Sequence, residues 1–184
     1  IAAGFSTFSL VLPSRSVEPL TITLQPSPLR ENVTVSITRS ETRLSETPAS
    51  VVVLDRQTLD ATAAQSVDDA LRQVAGFTLF RRSSSKTSNP TAQGANLRGV
   101  SGTGASRSAV LFDGLSLNDA FGGWTFWSRV PQIAIEQAEV LRGGASSFYG
   151  NGGLSGAVNL TTSRASGQPV FRAEASAGSQ GTFD

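Results

Sequence analysis

Residues 135–162 read IEQAEVLRGGASSFYGNGGLSGAVNLTT, and the pattern of this stretch decides the fold. In residues 137–141, Ala138 and Val140 alternate with Glu139, a pattern that predicts a short strand with the two apolar side chains on one face. Residues 142–156 hold six glycines, the residue type that permits positive φ and close backbone approach. Strand-like sequence resumes at 157–162. We therefore expect two strands joined by a rigid turn that two aromatic side chains hold in place.

Length and composition allow one modest domain, or a small domain with appendages. The chain has 184 residues, a formal net charge of +1 and 39% hydrophobic residues, enough for a core. Mean hydropathy is -0.05, and no run approaches the roughly 18 apolar residues of a membrane-spanning helix. Ile1 begins what reads as mid-domain sequence, so we expect a piece of a longer precursor.

Two absent residue types exclude several kinds of site. Without cysteine, the chain has neither a disulfide framework nor a thiolate metal site. Without histidine, it lacks the usual general base and cannot assemble a Ser-His-Asp triad. Its positive charges are spread along the chain, whereas nucleic-acid binding needs a basic stripe. We expect no catalytic residues, no metal site, no cofactor and no nucleic-acid partner.

Residues 1–28 contain two strand-like runs, 5–12 and 20–24, separated by Pro13 and Pro19. Two strands do not bury a stable core by themselves. We therefore interpret this segment as the last part of a small β-sandwich whose beginning is missing. The alternative is an unstructured leader.

Residues 31–39 read ENVTVSITR and alternate β-branched apolar side chains with polar ones. Such a segment can add as a strand to the edge of a partner's sheet, where main-chain hydrogen bonds supply the affinity. The alternative is a linker strand that packs on the chain's own domain.

Residues 48–76 predict a buried strand followed by short helices. The run Val51–Val53 is β-branched and favours a strand. Asp55 is a suitable N-cap for a first helix, and Ser66 begins a second helix whose apolar residues recur at helical spacing. Gly76 ends that helix, because glycine accepts the left-handed conformation.

Several polar features after residue 66 invite functional interpretations that the sequence does not favour. Asp68 and Asp69 suggest a catalytic or Ca²⁺ site, but we assign them to the positive end of the helix dipole. Residues 81–94 have the composition of a mobile loop. The glycines within 99–104 do not form a phosphate loop, since no Lys-Ser or Lys-Thr follows.

The run 109–117, AVLFDGLSL, predicts a hairpin, since two apolar stretches flank the turn dipeptide Asp113-Gly114. Residues 118–130 then carry four aromatic side chains in a glycine-containing loop. These rings either form an exposed ligand platform or anchor the loop on the core. Residues 170–177 alternate in the manner of a transmembrane barrel strand.

The order of these motifs resembles that of the plug domain of TonB-dependent outer-membrane receptors. The matching pieces, in chain order, are SVDDALRQVAGF, ANLRGV, AVLFDGLSL followed by ND, EVLRGGASSFYG and GGLSGAVNLTT. Where the family usually has proline, this chain has Ala75, a conservative departure. AAGF and LTITLQPSP near the start resemble the carboxypeptidase-regulatory-like domain that precedes the plug in some of these receptors.

The resemblance implies an α+β fold: a small mixed β-sheet plug with short helices, preceded by a β-sandwich remnant and followed by the first strand of a transmembrane β-barrel. The implied parts are the end of a carboxypeptidase-regulatory-like β-sandwich at 1–28, a linker with a TonB-box-like segment at 29–40, the plug at 41–165 and the start of the barrel at 166–184.

The resemblance also implies a function. The plug would gate a receptor that imports a scarce ligand, such as a siderophore, cobalamin or an oligosaccharide, across the bacterial outer membrane. Expected partners are the energy-transducing protein TonB in the periplasm, the chain's own β-barrel and, through that barrel, the outer membrane. The alternative is a non-transporting, extracytoplasmic β-rich module that binds a glycan through Trp124 and Trp127.

Two sets of site residues follow from the resemblance, and a third, the ligand-contact candidates, is a hypothesis about the loops 82–93 and 118–127. The TonB box comprises Glu31, Asn32, Val33, Thr34, Val35, Ser36 and Ile37. The arginines at the two LRG positions, which in the family pair with glutamates on the inner barrel wall, are Arg98 and Arg142. The ligand-contact candidates are Arg82, Ser84, Lys86, Asn89, Asn118, Phe121, Trp124, Phe126 and Trp127.

Overall fold

The computed structural model describes residues 23, 34–81, 83–100, 103–164, 167 and 171–175. The chain divides into two units between Val33 and Thr34, and the description below concerns the second unit. The predicted β-sandwich strands before residue 28 lie outside the described residues, apart from Thr23.

The described residues form a mixed α+β structure of short elements, as predicted. The strands are β1 Thr34–Val35, β2 Thr42–Arg43, β3 Val51–Asp55, β4 Phe77–Leu79, β5 Ala95–Leu97, β6 Ser108–Phe112, β7 Leu115–Ser116, β8 Ile135–Arg142 and β9 Gly156–Thr162. The α-helices are α1 Arg56–Ala61, α2 Val67–Ala70 and α3 Ser146–Tyr149. Short 3-10 helices span Leu44–Glu46, Leu71–Gln73, Pro90–Ala92, Trp127–Arg129, Gln132–Ala134 and Gly150–Gly153.

The central sheet has the strand order β3-β8-β9-β6-β7. Strands β6 and β9 are parallel, and the other neighbours are antiparallel. β1 with β2, and β4 with β5, form separate two-stranded sheets. The two strands predicted from the stretch 135–162 are thus β8 and β9, neighbours inside the sheet. The segment between them contains α3, a helix that the glycine pattern did not predict.

One side of the central sheet, the core face, carries the main hydrophobic core. Val110, Val158 and Val140 lie side by side on it, because β6, β9 and β8 pair in that register. All three are fully buried in one cluster with Leu59 of α1 and Val67 of α2. Burying side chains of this size stabilises the fold by roughly 1.5–3 kcal/mol each.

The opposite side of the sheet, the second face, is built from smaller side chains. Ala109, Ala157 and Leu141 lie side by side in the same register. They form a buried cluster with Ala145 and with Ile37, which comes from the N-terminal end of the unit. Alanines leave room above β6 and β9, so a peptide backbone can approach this face closely.

The helix and turn signals of the sequence are largely confirmed. Asp55 caps α1 by accepting the Thr58 amide at 2.8 Å. α2 is shorter than expected, and Gly76, with φ +87°, follows its 3-10 extension. The Asp113-Gly114 dipeptide forms the predicted hairpin turn between β6 and β7, with positive φ at both residues.

Near the C-terminal end, the predicted barrel strand is not seen among the residues described there. Residues 171–175 form no strand, and 170, 176 and 177 lie outside the described residues. A strand exists only through hydrogen bonds to a neighbour, which a barrel strand finds in adjacent barrel strands.

No helix in the described part of the chain is long and apolar enough to cross a membrane.

Gly156 offers a test of the sheet geometry. Its φ is +148°, and a Cβ there would stand 2.2 Å from the Leu141 carbonyl oxygen and 2.5 Å from the Leu97 side chain. We expect Gly156→Ala to lower the free energy of unfolding by about 2 kcal/mol or more, measured by urea unfolding followed by tryptophan fluorescence. Gly152→Ala is the control, because a Cβ at Gly152 meets nothing within 4 Å. Equal stability of the two variants would contradict the described pairing of β8 with β9.

Candidate functional site

The N-terminal end of the unit, residues 34–39, lies on the second face of the sheet; we call it the docked segment. Its first two residues form β1, which pairs with β2. The Val35 and Ile37 side chains are fully buried. The backbone turns after β1, since the Arg39 amide donates to the Ser36 carbonyl at 2.8 Å.

The docked segment is fastened to β8 by a single carboxylate, that of Glu139. One oxygen of Glu139 accepts the Ile37 amide at 2.7 Å, and its two oxygens lie 3.0 and 3.1 Å from the Ser36 amide nitrogen. The Gln137 side-chain amide donates to the same carboxylate at 2.8 Å. Glu139 is only 2% exposed. Hydrogen bonds to an ionised acceptor are about twice as strong as neutral ones, so this contact is a strong one.

Sequence reasoning missed the role of Glu139, although a signal was present. A glutamate in the middle of an apolar strand between two covered faces must find donors, because an unpartnered buried charge is very costly. The donors come from a segment about a hundred residues earlier in the chain, and local patterns do not identify them.

Tyr149 of α3 provides a second fastening. Its hydroxyl donates to the Ile37 carbonyl at 2.6 Å. The Arg39 guanidinium lies 5.0 Å from the centre of the Tyr149 ring, in cation–π geometry. Burial raises the pKa of Tyr149, while the nearby positive charge of Arg39 acts to lower it. Phe148, the other aromatic of the predicted turn, is 37% exposed.

The predicted TonB box therefore lies partly within the docked segment. Residues 34–37 of the box pack on the sheet, as the alternative of a packed linker strand expects. Residues 31–33 lie outside the described residues. Whether residues 31–37 bind TonB stays a prediction.

On the other side of the molecule, a buried ion pair joins α2 to the polar loop 83–94. Asp68 and Arg81 are in contact, and their side chains are 0% and 1% exposed. The Ser85 hydroxyl donates to Asp68 at 3.0 Å, and burial lowers the pKa of the Arg81 guanidinium. Losing one partner of a buried pair costs about 3–5 kcal/mol. Asp68 and Asp69 do lie in the first turn of α2, as predicted, but Asp68 also pairs with Arg81, and the loop is anchored rather than free.

Gln93 joins the two loops that hold the ligand-contact candidates. Its side-chain amide donates to the carbonyls of Ser88 and Ser85, at 2.9 and 3.2 Å, within the first loop. Its backbone carbonyl accepts the Trp127 indole N–H at 3.2 Å and the Thr125 amide at 3.3 Å, from the second loop. The structure thus brings the two predicted loops together.

The second loop presents one aromatic side chain fully to the outside. Phe121 is 99% exposed, at the tip of a turn in which the Asp119 carboxylate accepts the amides of Phe121 and Gly122. Trp124 is half-buried and stands edge-on to Phe126, with ring centres 6.5 Å apart. The turn is therefore held by local hydrogen bonds while its tip remains available for contact.

Trp127 has a different role from the one that a ligand platform requires. It is 1% exposed and stands edge-on to Phe77, with ring centres 6.4 Å apart in the main core. Its ring anchors the loop, the second of the two alternatives that the sequence left open. A glycan platform built on both Trp124 and Trp127 therefore does not exist in this structure.

The remaining ligand-contact candidates are mostly engaged within their own loops. Asn118 accepts the Val110 amide at 2.7 Å and so fixes the loop to β6. Asn89 accepts the Thr91 amide, and the Ser84 carbonyl accepts the Thr87 amide. Lys86 has an exposed side chain. Arg82 lies outside the described residues.

The two LRG arginines lie near each other, since the Arg98 guanidinium packs on the glycine that follows Arg142. The Arg98 guanidinium packs on Gly143, 3.6 Å from the place where a Cβ would stand. Arg142 donates to the Ser50 hydroxyl at 2.8 Å, while its Nε is buried without an acceptor. Within the described ranges, no carboxylate lies within ion-pair distance of Arg98 or Arg142.

Comparison with known proteins places this geometry in a family. The chain matches the family model described as TonB-dependent Receptor Plug Domain over residues 43–157, more than half of its length. The vitamin B12 transporter BtuB of Vibrio vulnificus (strain CMCP6) is 30% identical over 132 residues, which are 72% of this chain and 20% of that protein. The BtuB of Photobacterium profundum is 26% identical over 149 residues, 81% of this chain and 23% of that protein.

Solved structures show the same fold. The alcaligin outer membrane receptor FauA from Bordetella pertussis superposes with a TM-score of 0.55 at 23% identity, over 71% of this chain and 21% of that one. The siderophore receptor PiuA from Acinetobacter baumannii gives a TM-score of 0.50 at 28% identity, over 70% of this chain and 16% of that one.

The chain belongs to the plug-domain family of TonB-dependent receptors, as its motif order predicts. It spans about a fifth of the length of the curated relatives it matches. This family comprises receptors and transporters rather than enzymes. The carboxypeptidase-regulatory-like assignment of residues 1–28 stays a prediction.

Tyr149 is the only tyrosine of the chain, so tyrosinate absorbance near 295 nm reports this residue alone. Because burial raises its pKa, we expect the titration midpoint of the folded chain to lie above the ordinary 10.0, and to return to about 10 in denaturant. The neutral form that donates to Ile37 is favoured by folding, so this contribution to stability is lost as pH rises through the folded-state pKa. A folded-state midpoint at or below 10 would contradict the described burial of Tyr149.

Proposed function

We propose that this chain gates a bacterial outer-membrane receptor that imports a scarce ligand, and that TonB drives the gating by binding residues 31–37. Membership of the plug family supports the gating role. What supports the TonB part is the position and pattern of residues 31–37, an alternating β-branched peptide directly before the matched plug region, residues 34–37 of which lie against the plug. In this proposal the N-terminal segment faces the periplasm.

Pulling on the docked segment has a direct consequence for the plug. Residues 31–37 would pair with the edge of a TonB sheet, where affinity comes from main-chain hydrogen bonds. Removing Ile37 from the second face would open the small cluster that it forms with Ala109, Leu141 and Ala157. Ligand binding outside would favour this release, and the pull would then rearrange the plug.

Arg98 and Arg142 are proposed to hold the plug to glutamates on the inner wall of its barrel. Their positions support this role, because the two arginine-glycine turns are neighbours and both guanidinium groups lack a carboxylate partner among the described residues. Arginine makes bidentate, charge-assisted bonds to carboxylates. Such pairs fix an orientation and still separate under force.

The loops 82–93 and 118–127, joined through Gln93, are the proposed ligand-contact surface of the plug. Phe121 at the exposed tip is its strongest candidate for stacking on a ligand. Siderophores, cobalamin and oligosaccharides are the proposed ligand classes. Cobalamin draws support from relatives named as vitamin B12 transporters, but four-fifths of such a protein lies outside the matched region.

A synthetic peptide of residues 29–40 tests the TonB contact without the docked state. We expect it to bind a TonB C-terminal domain, and Val35→Pro to weaken binding at least about tenfold, because proline removes a strand hydrogen-bond donor. The measurement is a titration followed by calorimetry or fluorescence anisotropy. Val35→Thr is the matched control, since threonine keeps the amide and the β-branched shape. Absent binding, or equal binding of the proline peptide, would contradict the proposal.

A further inference from the structure

We propose that Glu139 is a positioning residue that controls the access of TonB to the docked segment. Its carboxylate occupies the backbone amides of Ser36 and Ile37, which a partner strand would need. Glu139 is thus the clamp of an autoinhibited state, and its hold sets how readily TonB can take the segment. This inference rests on the proposed role of residues 31–37.

Much of the backbone of the segment is already engaged in the docked state. Thr34 and Val35 pair with β2 in an antiparallel register. The next two amides, those of Ser36 and Ile37, both donate to Glu139. A TonB strand therefore competes with contacts inside the plug for the same groups.

Glu139 also holds the backbone of residues 36–39 in a turned conformation, which cannot pair as an extended strand with the edge of a partner's sheet. In a strand, neighbouring residues direct their backbone groups to opposite sides. Here the amides of Ser36 and Ile37 converge on one carboxylate, and the Arg39 amide closes a turn onto the Ser36 carbonyl. Strand addition over these residues therefore requires their release from Glu139.

A carboxylate suits this task better than any other side chain. Both oxygens of Glu139 accept, whereas glutamine in its place would turn an N–H group toward the Gln137 side-chain amide and the Ser36 amide, which both donate to one of those oxygens. Among the described residues, no cation lies within ion-pair distance of Glu139, so hydrogen-bond donors alone compensate its charge. The docked segment supplies most of these donors, with Gln137 as the donor from β8 itself.

Two neutral hydrogen bonds of the segment act beside Glu139. The Tyr149 hydroxyl donates to the Ile37 carbonyl, and the Asn159 side-chain amide donates to the Ser36 hydroxyl at 3.3 Å. Neither contact occupies a backbone amide of the segment. They hold it in place, whereas Glu139 withholds the backbone donors of Ser36 and Ile37.

The test is the affinity of the 184-residue chain and its Glu139→Gln variant for a TonB C-terminal domain. We expect the variant to bind about tenfold more tightly, because weakening charge-assisted bonds in the docked state lowers the cost of release. Glu136→Gln is the matched control, since this exposed glutamate of the same strand bonds instead to Ser163 and Arg172. Its affinity should equal that of the unchanged chain. Unchanged or weaker binding by Glu139→Gln would overturn the inference.

If Glu139→Gln lacks a cooperative unfolding transition, a second variant tests whether docking of the segment hinders TonB binding. Tyr149→Phe removes only the hydroxyl that holds the Ile37 carbonyl. It should bind TonB a few-fold more tightly, by about threefold for one neutral hydrogen bond. Unchanged affinity of this variant would then overturn the autoinhibited state.

A labelling measurement separates the clamp from the proposed TonB contact. The chain has no cysteine, so Val35→Cys introduces a single thiol at a fully buried position. If the free peptide 29–40 does not bind TonB, the proposed function fails, and the clamp is judged by thiol labelling alone. Labelling should become about tenfold faster when Glu139→Gln is added. Equal labelling rates would overturn the clamp.

Discussion

The buried carboxylate of Glu139 sets the constraint on which the arrangement of this plug depends. A charged group with 2% exposure is tolerated only when donors surround it, and here most of the donors are backbone amides of another segment. The sheet and its N-terminal segment are therefore coupled: the segment covers the second face, and the second face is complete only while the segment is in place.

The alternation of side chains along β8 links the two faces of the sheet. Ala138 and Val140 point into the main core, while Glu139 and Leu141 face the docked segment. The same main core holds Trp127, which fixes the loop that carries Phe121. β8 therefore contacts both the segment proposed for TonB and the core that anchors the loop proposed for the ligand.

Local sequence patterns predicted the parts of the fold that local physics determines. β8 and β9 follow from alternation and glycine spacing, and the β6–β7 hairpin follows from the turn chemistry of Asp113-Gly114. What they did not predict are pairings across long sequence separations: Glu139 with Ile37, and Asp68 with Arg81. A polar side chain in an apolar segment indicates that it needs a hydrogen-bond partner. Which residue becomes that partner depends on how distant parts of the chain pack together. The aromatic residues of the 118–130 loop posed the same difficulty, since composition does not reveal which ring faces the core.

Amide hydrogen exchange of the 184-residue chain, resolved by residue, tests the central claim most directly. The claim is that the segment proposed to bind TonB is held by Glu139 before any partner arrives. It predicts slow exchange at the Ser36 and Ile37 amides and fast exchange at the next amide, that of Thr38, which has no acceptor among the described residues. Adding a TonB C-terminal domain should change the protection of Ser36 and Ile37. Fast exchange at all three amides in the chain alone would contradict the account.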